Sequence, residues 1–297
     1  MAKSKITEQI AKESIPMTFI RVLSKPYLRT TALLCIASIF RNFFLLQYRA
    51  AFLPGRIPVN KVDHPLDKKI PFLPGKVNVY LDFVAFWVRC TGFLVRSCGR
   101  EVFEPVRNFL ESMGNLYAYA AEVYSKNLST TERPFYIKKP RFLLIHLVDP
   151  HLMCIPSLHV MVVIRTYTLF RDIIKKLDKE AAFSSQAEEL FQGALDITEA
   201  VLYVKQHSVN CISAAMYAMS CFDPRLFPSQ EAGRFVSYLF ARPSENNPVN
   251  NEDGNEIREH IVSLYRHFLA QKEAPGTNPA GNWIEPLLDF LKKLPHL

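Results

Sequence analysis

The stretch with the most chemical potential runs from Cys154 to Val160 and reads Cys-Ile-Pro-Ser-Leu-His-Val. A proline just inside a helix start has the φ angle that the helix needs, and it gives up only an amide that has no intrahelical partner. Pro156 therefore predicts a helix start with Ser157 and His159 in the first turn. The free N–H groups and the positive dipole end of such a turn favour an anion. The apolar run that follows predicts a buried helix, so a serine and a histidine stand at the mouth of a packed core.

Two further fragments carry residue types that suit the chemistry of an anionic ester. Hydrolysis of a phosphoester without a metal needs cations and N–H donors around the oxygens, a nucleophile in line and an acid for the departing alkoxide. Pro156 lies 22 residues after Pro134, and His207 lies 48 residues after His159. The two fragments are Lys126 with Arg133 and Pro134 upstream, and Lys205 with Gln206 and His207 downstream.

Taken together, the three fragments resemble the motifs of the superfamily of type 2 phosphatidic acid phosphatases, bacterial class A acid phosphatases and vanadium haloperoxidases. That family has a lysine, six residues and Arg-Pro; then Pro-Ser-Gly-His; then Ser-Arg, five residues, His, three residues and Asp. The first motif is matched in full. The second has Leu158 for glycine and the third reads Lys-Gln-His, which resembles the inositol-phosphorylceramide-synthase-like branch.

The resemblance covers residues 120–220, roughly a third of the chain. It implies a helical bundle with the site at its mouth. It also implies a phosphatase or phosphotransferase that acts on a lipid or amphiphilic phosphomonoester, and it implies no cofactor.

The resemblance also implies a role for each matching residue. His207 would attack phosphorus to form a phosphohistidine, since neutral imidazole is a usable nucleophile near pH 7. His159 would protonate the leaving group and later activate water. The phosphate would be held by Lys126, Arg133 and Ser157, with Lys205 as a further cation.

The third motif departs from the family pattern at two places. Cys211 stands where the family has the aspartate that follows the nucleophile, and Ala200-Val201 stands where it has Ser-Arg. Losing a carboxylate that orients a catalytic histidine costs orders of magnitude in rate. Lys205 could supply the missing charge, and Glu199 or Asp196 could replace the aspartate if the helices bend suitably. The alternative is a catalytically inactive member that binds phosphate-bearing ligands or membrane surfaces.

Composition limits the fold class. The chain has 297 residues, 49% of them hydrophobic, and a net charge of +8, which excludes a disordered protein. Only 10 glycines and few alternating runs argue against an all-β fold, and no glycine-rich phosphate loop is present. We expect an all-α bundle of the phosphatidic acid phosphatase type 2 or haloperoxidase kind, with added terminal helices. The expected segments are amphipathic N-terminal helices at 1–53, a phosphatase-like core at 77–222, and a C-terminal helical extension at 223–297 after a loop at 242–255.

Apolar residues recur at three- and four-residue spacing along most of the chain, which is typical of helices. The predicted helices are Val77–Val95, Val102–Tyr124, Pro156–Lys176, two within Leu190–Cys221 that meet near His207, Glu256–Gln271 and Trp283–Leu294. The predicted loops and connections are Pro54–Pro74, Ser125–Pro140 and Leu177–Glu189.

Cysteine and histidine spacing does not favour a metal site. The six cysteines form no C-x-x-C pair, which favours reduced thiols in an intracellular protein. His146, Asp149 and His151 lie within six residues, but three donors around Pro150 are too few for a shared helical site. We expect no bound metal.

The N-terminus lacks the early apolar region of a secretory signal. The apolar runs are interrupted at Arg41, Asp82 and Arg89, whereas a membrane span needs about 20 mostly apolar residues. The sequence therefore favours an intracellular chain, cytoplasmic or membrane-associated, without a clean transmembrane span.

The basic charge points to anionic partners. A phosphate ester, most readily a lipid, and an anionic membrane surface are the expected partners. Nucleic acid is not expected, because aromatic interleaving and a helix-turn-helix pattern are missing. Residues 5–25 and 30–52 fit either a packed helical hairpin or a basic amphipathic anchor on a membrane.

Overall fold

The computed structural model describes residues 9–241, 248–274 and 281–296. Helix makes up 71% of the structure and strand 3%, which confirms the all-α class. The finer assignment to the phosphatidic acid phosphatase type 2 kind of bundle stays a prediction.

The α-helices, in chain order, are α1 (Ile15–Leu23), α2 (Pro26–Ile39), α3 (Leu46–Phe52), α4 (Val77–Leu81), α5 (Phe83–Cys98), α6 (Phe103–Tyr124), α7 (Pro140–Val148), α8 (Leu158–Lys176), α9 (Ser184–Tyr203), α10 (Val209–Phe222), α11 (Ser229–Tyr238), α12 (Asn251–Glu273) and α13 (Glu285–Lys292). A π-helical segment, Phe40–Leu45, makes α2 and α3 continuous. Short 3₁₀ turns lie at Ile10–Lys12, Pro65–Lys69, Pro74–Lys76 and Gly99–Val102. Strands β1 (Val59–Lys61) and β2 (Leu128–Thr130) pair in parallel, with Val59 opposite Leu128.

Helix α8 forms the centre of the core. Every residue from Val160 to Phe170 is buried, and the helix packs against α5, α6, α9 and α10. Its one buried charge, Arg165, is satisfied because Nη1 donates to Asp223 Oδ2 at 2.6 Å and Nε donates to Ser112 Oγ at 2.7 Å. A buried charge that is paired and hydrogen-bonded in this way can be kept in an apolar helix.

Three sequence-based boundaries need correction. The single helix predicted at Val77–Val95 is two helices, α4 and α5, that meet at Asp82. The connection predicted over 177–189 ends early, since α9 begins at Ser184. Of the loop predicted at 242–255, residues 242–247 lie outside the described residues and 251–255 are the first turn of α12. Asn250 caps that turn, with its Oδ1 accepting from the N–H of Asp253 at 2.8 Å.

Two helical stretches, Pro26–Phe52 and Pro74–Tyr124, are long and apolar enough to cross a membrane. The charged residues that interrupt these stretches, Arg41, Asp82 and Arg89, therefore do not exclude them as candidate membrane spans. Core helices of soluble proteins pass the same test, and 56% of the apolar window of the second stretch is buried, against 17% of the first. The structure is consistent with a membrane-associated or a soluble protein.

Helix α1 is held against α5 by a close approach at Gly92. A Cβ atom there would stand 2.0 Å from Thr18 Oγ1, and Thr18 is itself buried. We expect Gly92→Ala to lower the free energy of unfolding by about 1–3 kcal/mol, measured by urea denaturation. Gly233→Ala in α11 is the matched control, because nothing lies within 4 Å of its Cβ; we expect it to be neutral or stabilising by about 1 kcal/mol. Equal effects of the two substitutions would contradict the proposed clash.

Candidate active site

His207 lies in the short connection between α9 and α10. The N–H of Gln206 donates to the Val201 carbonyl at 3.1 Å and the N–H of Lys205 donates to the Leu202 carbonyl at 3.0 Å. This is the Schellman arrangement that ends many helices, with Lys205 in the left-handed conformation at φ 55°. The sharp stop turns the chain so that His207 faces the core directly before α10.

The side chain of Lys205 points away from the histidine. Its ammonium group donates to the backbone carbonyls of Asp67 and Ile70, at the end of a 3₁₀ turn. These contacts help hold a non-glycine residue in the left-handed region, which ordinarily costs about 1 kcal/mol. Burial lowers the pKa of this lysine. Lys205, which the sequence predicts as a phosphate ligand, instead stabilises the junction between α9 and α10.

Asp67 fixes the start of α10. Its Oδ1 accepts from the N–H of Val209 at 2.9 Å and its Oδ2 accepts from the N–H of His64 at 2.7 Å. Burial raises the pKa of this carboxyl, while hydrogen bonds from Ser208, His64 and Val209 oppose the shift. The next two N–H groups donate to Ser208, that of Asn210 to Oγ at 3.3 Å and that of Cys211 to the carbonyl at 2.9 Å, so the first N–H groups of α10 are taken up within the protein.

The start of α8 differs from the start of α10, because its polar groups have no hydrogen-bond partners among the described residues. Ser157 is the N-cap residue, fully buried, yet its Oγ has no hydrogen-bond partner. The first N–H groups of α8, at Leu158, His159 and Val160, likewise find no acceptor among the described residues. Pro156 and Ser157 both precede the helix, whereas the sequence predicts Pro156 inside it and Ser157 in its first turn. The predicted free helix N-terminus is present, but it begins at Leu158, two residues later than the proline suggests.

Other elements hold this helix start in place. Tyr124 donates its hydroxyl to the Pro156 carbonyl, and the N–H of Ser157 donates to the Cys211 carbonyl at 3.4 Å. Ser129 of β2 accepts from the N–H of Ile155 at 2.7 Å. The strand pair and α10 together position the loop before α8.

His207 and His159 meet in this region. Their Nε2 and Nδ1 atoms are 3.3 Å apart, and the ring centroids are 5.3 Å apart. The His159 ring also stacks on Tyr80 at 4.5 Å and contacts Phe83 at 4.1 Å, so aromatic rings from α4 and α5 enclose it. His207 is 7% exposed.

Burial makes the histidine pair neutral at physiological pH. It lowers the pKa of His207 from 6.5 to about 4, and the Cys154 backbone partly opposes this. It also lowers the pKa of His159 well below 6.5, with His207 and His151 adding to the effect. A neutral imidazole has a free ring nitrogen, as a nucleophile requires.

A third histidine, His151, joins this cluster. Its Nε2 lies 2.8 Å from Thr131 Oγ1, and its N–H donates to Asp149 Oδ1 at 2.8 Å. Burial first, and then the charges of Arg133 and His207, lower its pKa well below the ordinary value. Its φ of 59° is in the left-handed region of the backbone map.

Arg133 lies close enough to His151 of this cluster to lower the pKa of its ring. Its Nη1 donates to Gln206 Oε1 at 3.2 Å and its Nη2 donates to the Asp149 carbonyl at 3.1 Å. Gln206 directly precedes His207 in the chain, so the guanidinium contacts the same segment that carries this histidine. Lys126 is not brought in: its side chain is exposed, and no hydrogen bond or ion pair joins it to the other predicted site residues within the described ranges.

No carboxylate of the described residues orients His207. Its Nδ1 is buried without a hydrogen bond of good geometry to any described residue, although the Cys154 backbone is near enough to favour the protonated ring. Cys211 Sγ instead accepts from the N–H of Ser208 at 3.4 Å. Glu199 Oε1 accepts from the N–H of Phe240 at 2.9 Å, and Asp196 lines a cavity with Arg89. Neither acidic residue replaces the family aspartate.

Some residues of the site are invisible to sequence reasoning. Tyr80 and Phe83 precede His159 by more than 70 residues and look like ordinary core aromatics. The only signal for Asp67 is its capping-box spacing after His64, which predicts a local turn and no contact with α10.

For the metal question, no group of three or more His, Cys, Asp or Glu side chains that could hold an ion lies within the described residues.

No protein family, curated protein or solved structure matches this chain. The site must therefore be interpreted from its own geometry: a free helix N-terminus, a guanidinium and two neutral imidazoles in contact.

The buried histidines should make stability depend on pH. A histidine with a pKa lower in the folded than in the unfolded state contributes stability above pH 6.5, and this is lost as the pH falls toward its folded value. For His207 that window is 6.5 to about 4. We expect the loss of unfolding free energy between pH 7 and pH 5 to be about 2 kcal/mol smaller in His207→Gln than in the wild type, by urea denaturation. Ser157→Ala is the control, because a serine does not titrate there and the wild-type difference should persist. An unchanged pH dependence in His207→Gln would contradict a buried neutral ring.

Proposed function

We propose that this protein is a metal-independent phosphoric ester hydrolase or phosphotransferase that acts on a lipid or amphiphilic phosphomonoester through a phosphohistidine. The observation that carries the proposal is the 3.3 Å contact between His207 and His159 beside the unclaimed N-terminus of α8. The motif resemblance assigns the same two histidines as nucleophile and acid.

The anion site would be built from the start of α8. Three free N–H groups, the Ser157 hydroxyl and the positive end of a 19-residue helix favour a phosphate dianion. Arg133 would add a guanidinium able to grip two oxygens, once it exchanges its neutral partners for the charged ligand. Lys126 and Lys205 are left out of this anion site, because one is exposed and the other binds carbonyls.

The reaction would proceed in two displacements. His207 Nε2 attacks phosphorus, the bond from phosphorus to the alkoxide breaks, and His159 donates a proton to the departing oxygen. Water, deprotonated by His159, then cleaves the phosphorus–nitrogen bond and releases phosphate. Since the phosphoryl group must lie between the two rings, their direct contact opens when substrate binds. The dianion would raise the lowered pKa of His159 and so charge the acid.

We expect the purified protein to hydrolyse a chromogenic phosphomonoester or a short-chain lipid phosphate in the presence of a metal chelator. His207→Ala and His159→Ala should each reduce kcat/KM by at least about 10³-fold, since each removes a group that takes part in the bond changes. His267→Ala, at an exposed histidine of α12, is the matched control and should keep full activity. Acid-labile phosphohistidine trapped in the wild type and missing from His207→Ala would identify the nucleophile. The absence of turnover on every phosphomonoester would contradict the proposal.

Ser157 offers a separate test, because its hydroxyl is buried without a partner. Removing an unsatisfied buried polar atom relieves a desolvation cost of about 1–3 kcal/mol. We expect Ser157→Ala to raise the free energy of unfolding by about 1 kcal/mol while weakening phosphate or vanadate binding. The two readouts are urea denaturation and ligand titration. A variant that is less stable and binds equally well would show that the hydroxyl has a structural role.

The missing carboxylate favours a second candidate. With no acidic group on His207 Nδ1, the same site could bind a phosphate group without cleaving it. This candidate predicts vanadate or phosphate binding that is lost in Arg133→Met, with no hydrolysis in the wild type. Measurable turnover would reject it.

A further inference from the structure

Large apolar side chains are exposed on two segments of the chain. The first follows α1, α2 and α3, and the second runs from Phe135 through α7. Monomeric soluble proteins rarely leave a contiguous apolar patch of this kind uncovered. The most exposed members are Leu34 at 65%, Phe52 at 79%, Phe135 at 80% and Leu147 at 74%.

The two segments adjoin in space. Gln47 of α3 donates from Nε2 to Asp149 Oδ1 at 2.8 Å, and Asp149 directly follows α7. The end of the α2–α3 rod therefore meets the end of α7, and the exposed apolar residues of the two segments are together called the docking face. This face borders the candidate active site, because Asp149 also accepts from Arg133 through its carbonyl.

The charge on these segments has one sign. No aspartate or glutamate occurs between residues 14 and 62 or between 133 and 148, whereas seven and four lysines or arginines do. Arg41 and Arg49 are exposed and form no ion pair with any residue that the structure describes. Apolar side chains interspersed with unpaired cations are the composition of a helix that lies on an anionic lipid surface.

The same residues argue against a membrane-spanning α2–α3 rod. Arg41 lies near its middle, where a charge would stand at bilayer depth. The opposite face of α2 packs on α6, with Ser38 Oγ donating to the Gly114 carbonyl at 2.7 Å. Helix α6 carries exposed Glu104 and Glu111, which belong in water. Only one side of the rod is free for lipid.

A cavity beside α3 has the same character. It holds about 410 Å³, and its lining combines an apolar surface with Arg49 and Arg56. An apolar space with guanidinium groups suits the tail and the anionic head group of one phospholipid. The remaining lining includes Leu46, Ala50, Leu53, Ile57 and Leu152.

We propose that this docking face is a monotopic membrane-binding surface, on which the protein lies on an anionic lipid bilayer without crossing it. The partner is the bilayer itself, recognised by burial of the exposed Leu and Phe side chains and by attraction of Arg41, Arg49 and their neighbours to anionic head groups. The proposal does not rest on the proposed function, since binding to a bilayer requires no turnover.

The test is co-sedimentation of the full chain with vesicles of phosphatidylcholine, with and without phosphatidylglycerol. We expect binding to the anionic vesicles, weaker binding to the neutral ones, and partial release by salt. The triple variant Leu34→Gln, Phe52→Gln, Leu147→Gln should weaken binding at least about tenfold. Tyr238→Gln, at an exposed aromatic residue of α11, is the control and should bind like the wild type.

The charge contribution is tested separately. Arg41→Gln, Arg49→Gln should weaken binding to anionic vesicles about tenfold and leave binding to neutral vesicles unchanged. Lys292→Gln, Lys293→Gln at exposed lysines of the C-terminal region is the matched control for net charge and should have little effect. Circular dichroism and thermal unfolding of each variant confirm that it folds.

Three results would overturn the proposal. One is a folded wild-type protein that binds neither kind of vesicle. Another is a stable homodimer that the triple variant dissociates, which would show that a second copy covers the face. The last is labelling of the two ends of the α2–α3 rod by membrane-impermeant reagents from opposite sides of a sealed vesicle, which would show that the rod spans the bilayer. Loss of phosphatase activity with vesicle binding intact would count against the proposed function alone.

Discussion

The burial of two imidazoles without a neutralising acid is the constraint on which the rest of this structure depends. A charged histidine in such a place is unfavourable, so the protein keeps His207 and His159 uncharged and in contact with each other. The contact is stable only while both segments are held rigidly. The sharp stop of α9, the cap at the start of α10 and the anchored loop before α8 each serve that end.

The two helix starts near the site are treated in opposite ways. At α10 an internal carboxylate, Asp67, accepts from the N–H of Val209, and the Ser208 side chain accepts from the N–H of Asn210. At α8 the first N–H groups and the Ser157 hydroxyl have no partner among the described residues, although the same protein supplies caps elsewhere, as at Asn250. Leaving buried polar groups unsatisfied lowers stability, and the phosphate group of the proposed function would satisfy them. This difference gives the α8 helix start its interest as an anion site.

The exposed helices and the central helix of this protein differ in which side chains they leave uncovered. The α2–α3 rod and α7 expose apolar side chains among cations, whereas the central helix α8 buries nearly everything, including a paired arginine. The two faces come together at Asp149, which accepts from Gln47 and from the loop that carries His151. One carboxylate thus joins the exposed apolar face to the histidine cluster.

Sequence alone determined the all-α class, the buried helix after Pro156 and the pairing of two helices near His207, because these follow from local periodicity and from backbone preferences. It also singled out both histidines and Arg133 through their motif order. Only the tertiary structure decided what each side chain contacts. It turned Lys205 toward backbone carbonyls, left Lys126 in solvent, and placed Tyr80 against His159. Such contacts join segments far apart in the chain, and no local pattern encodes the direction in which a side chain points once the helices pack.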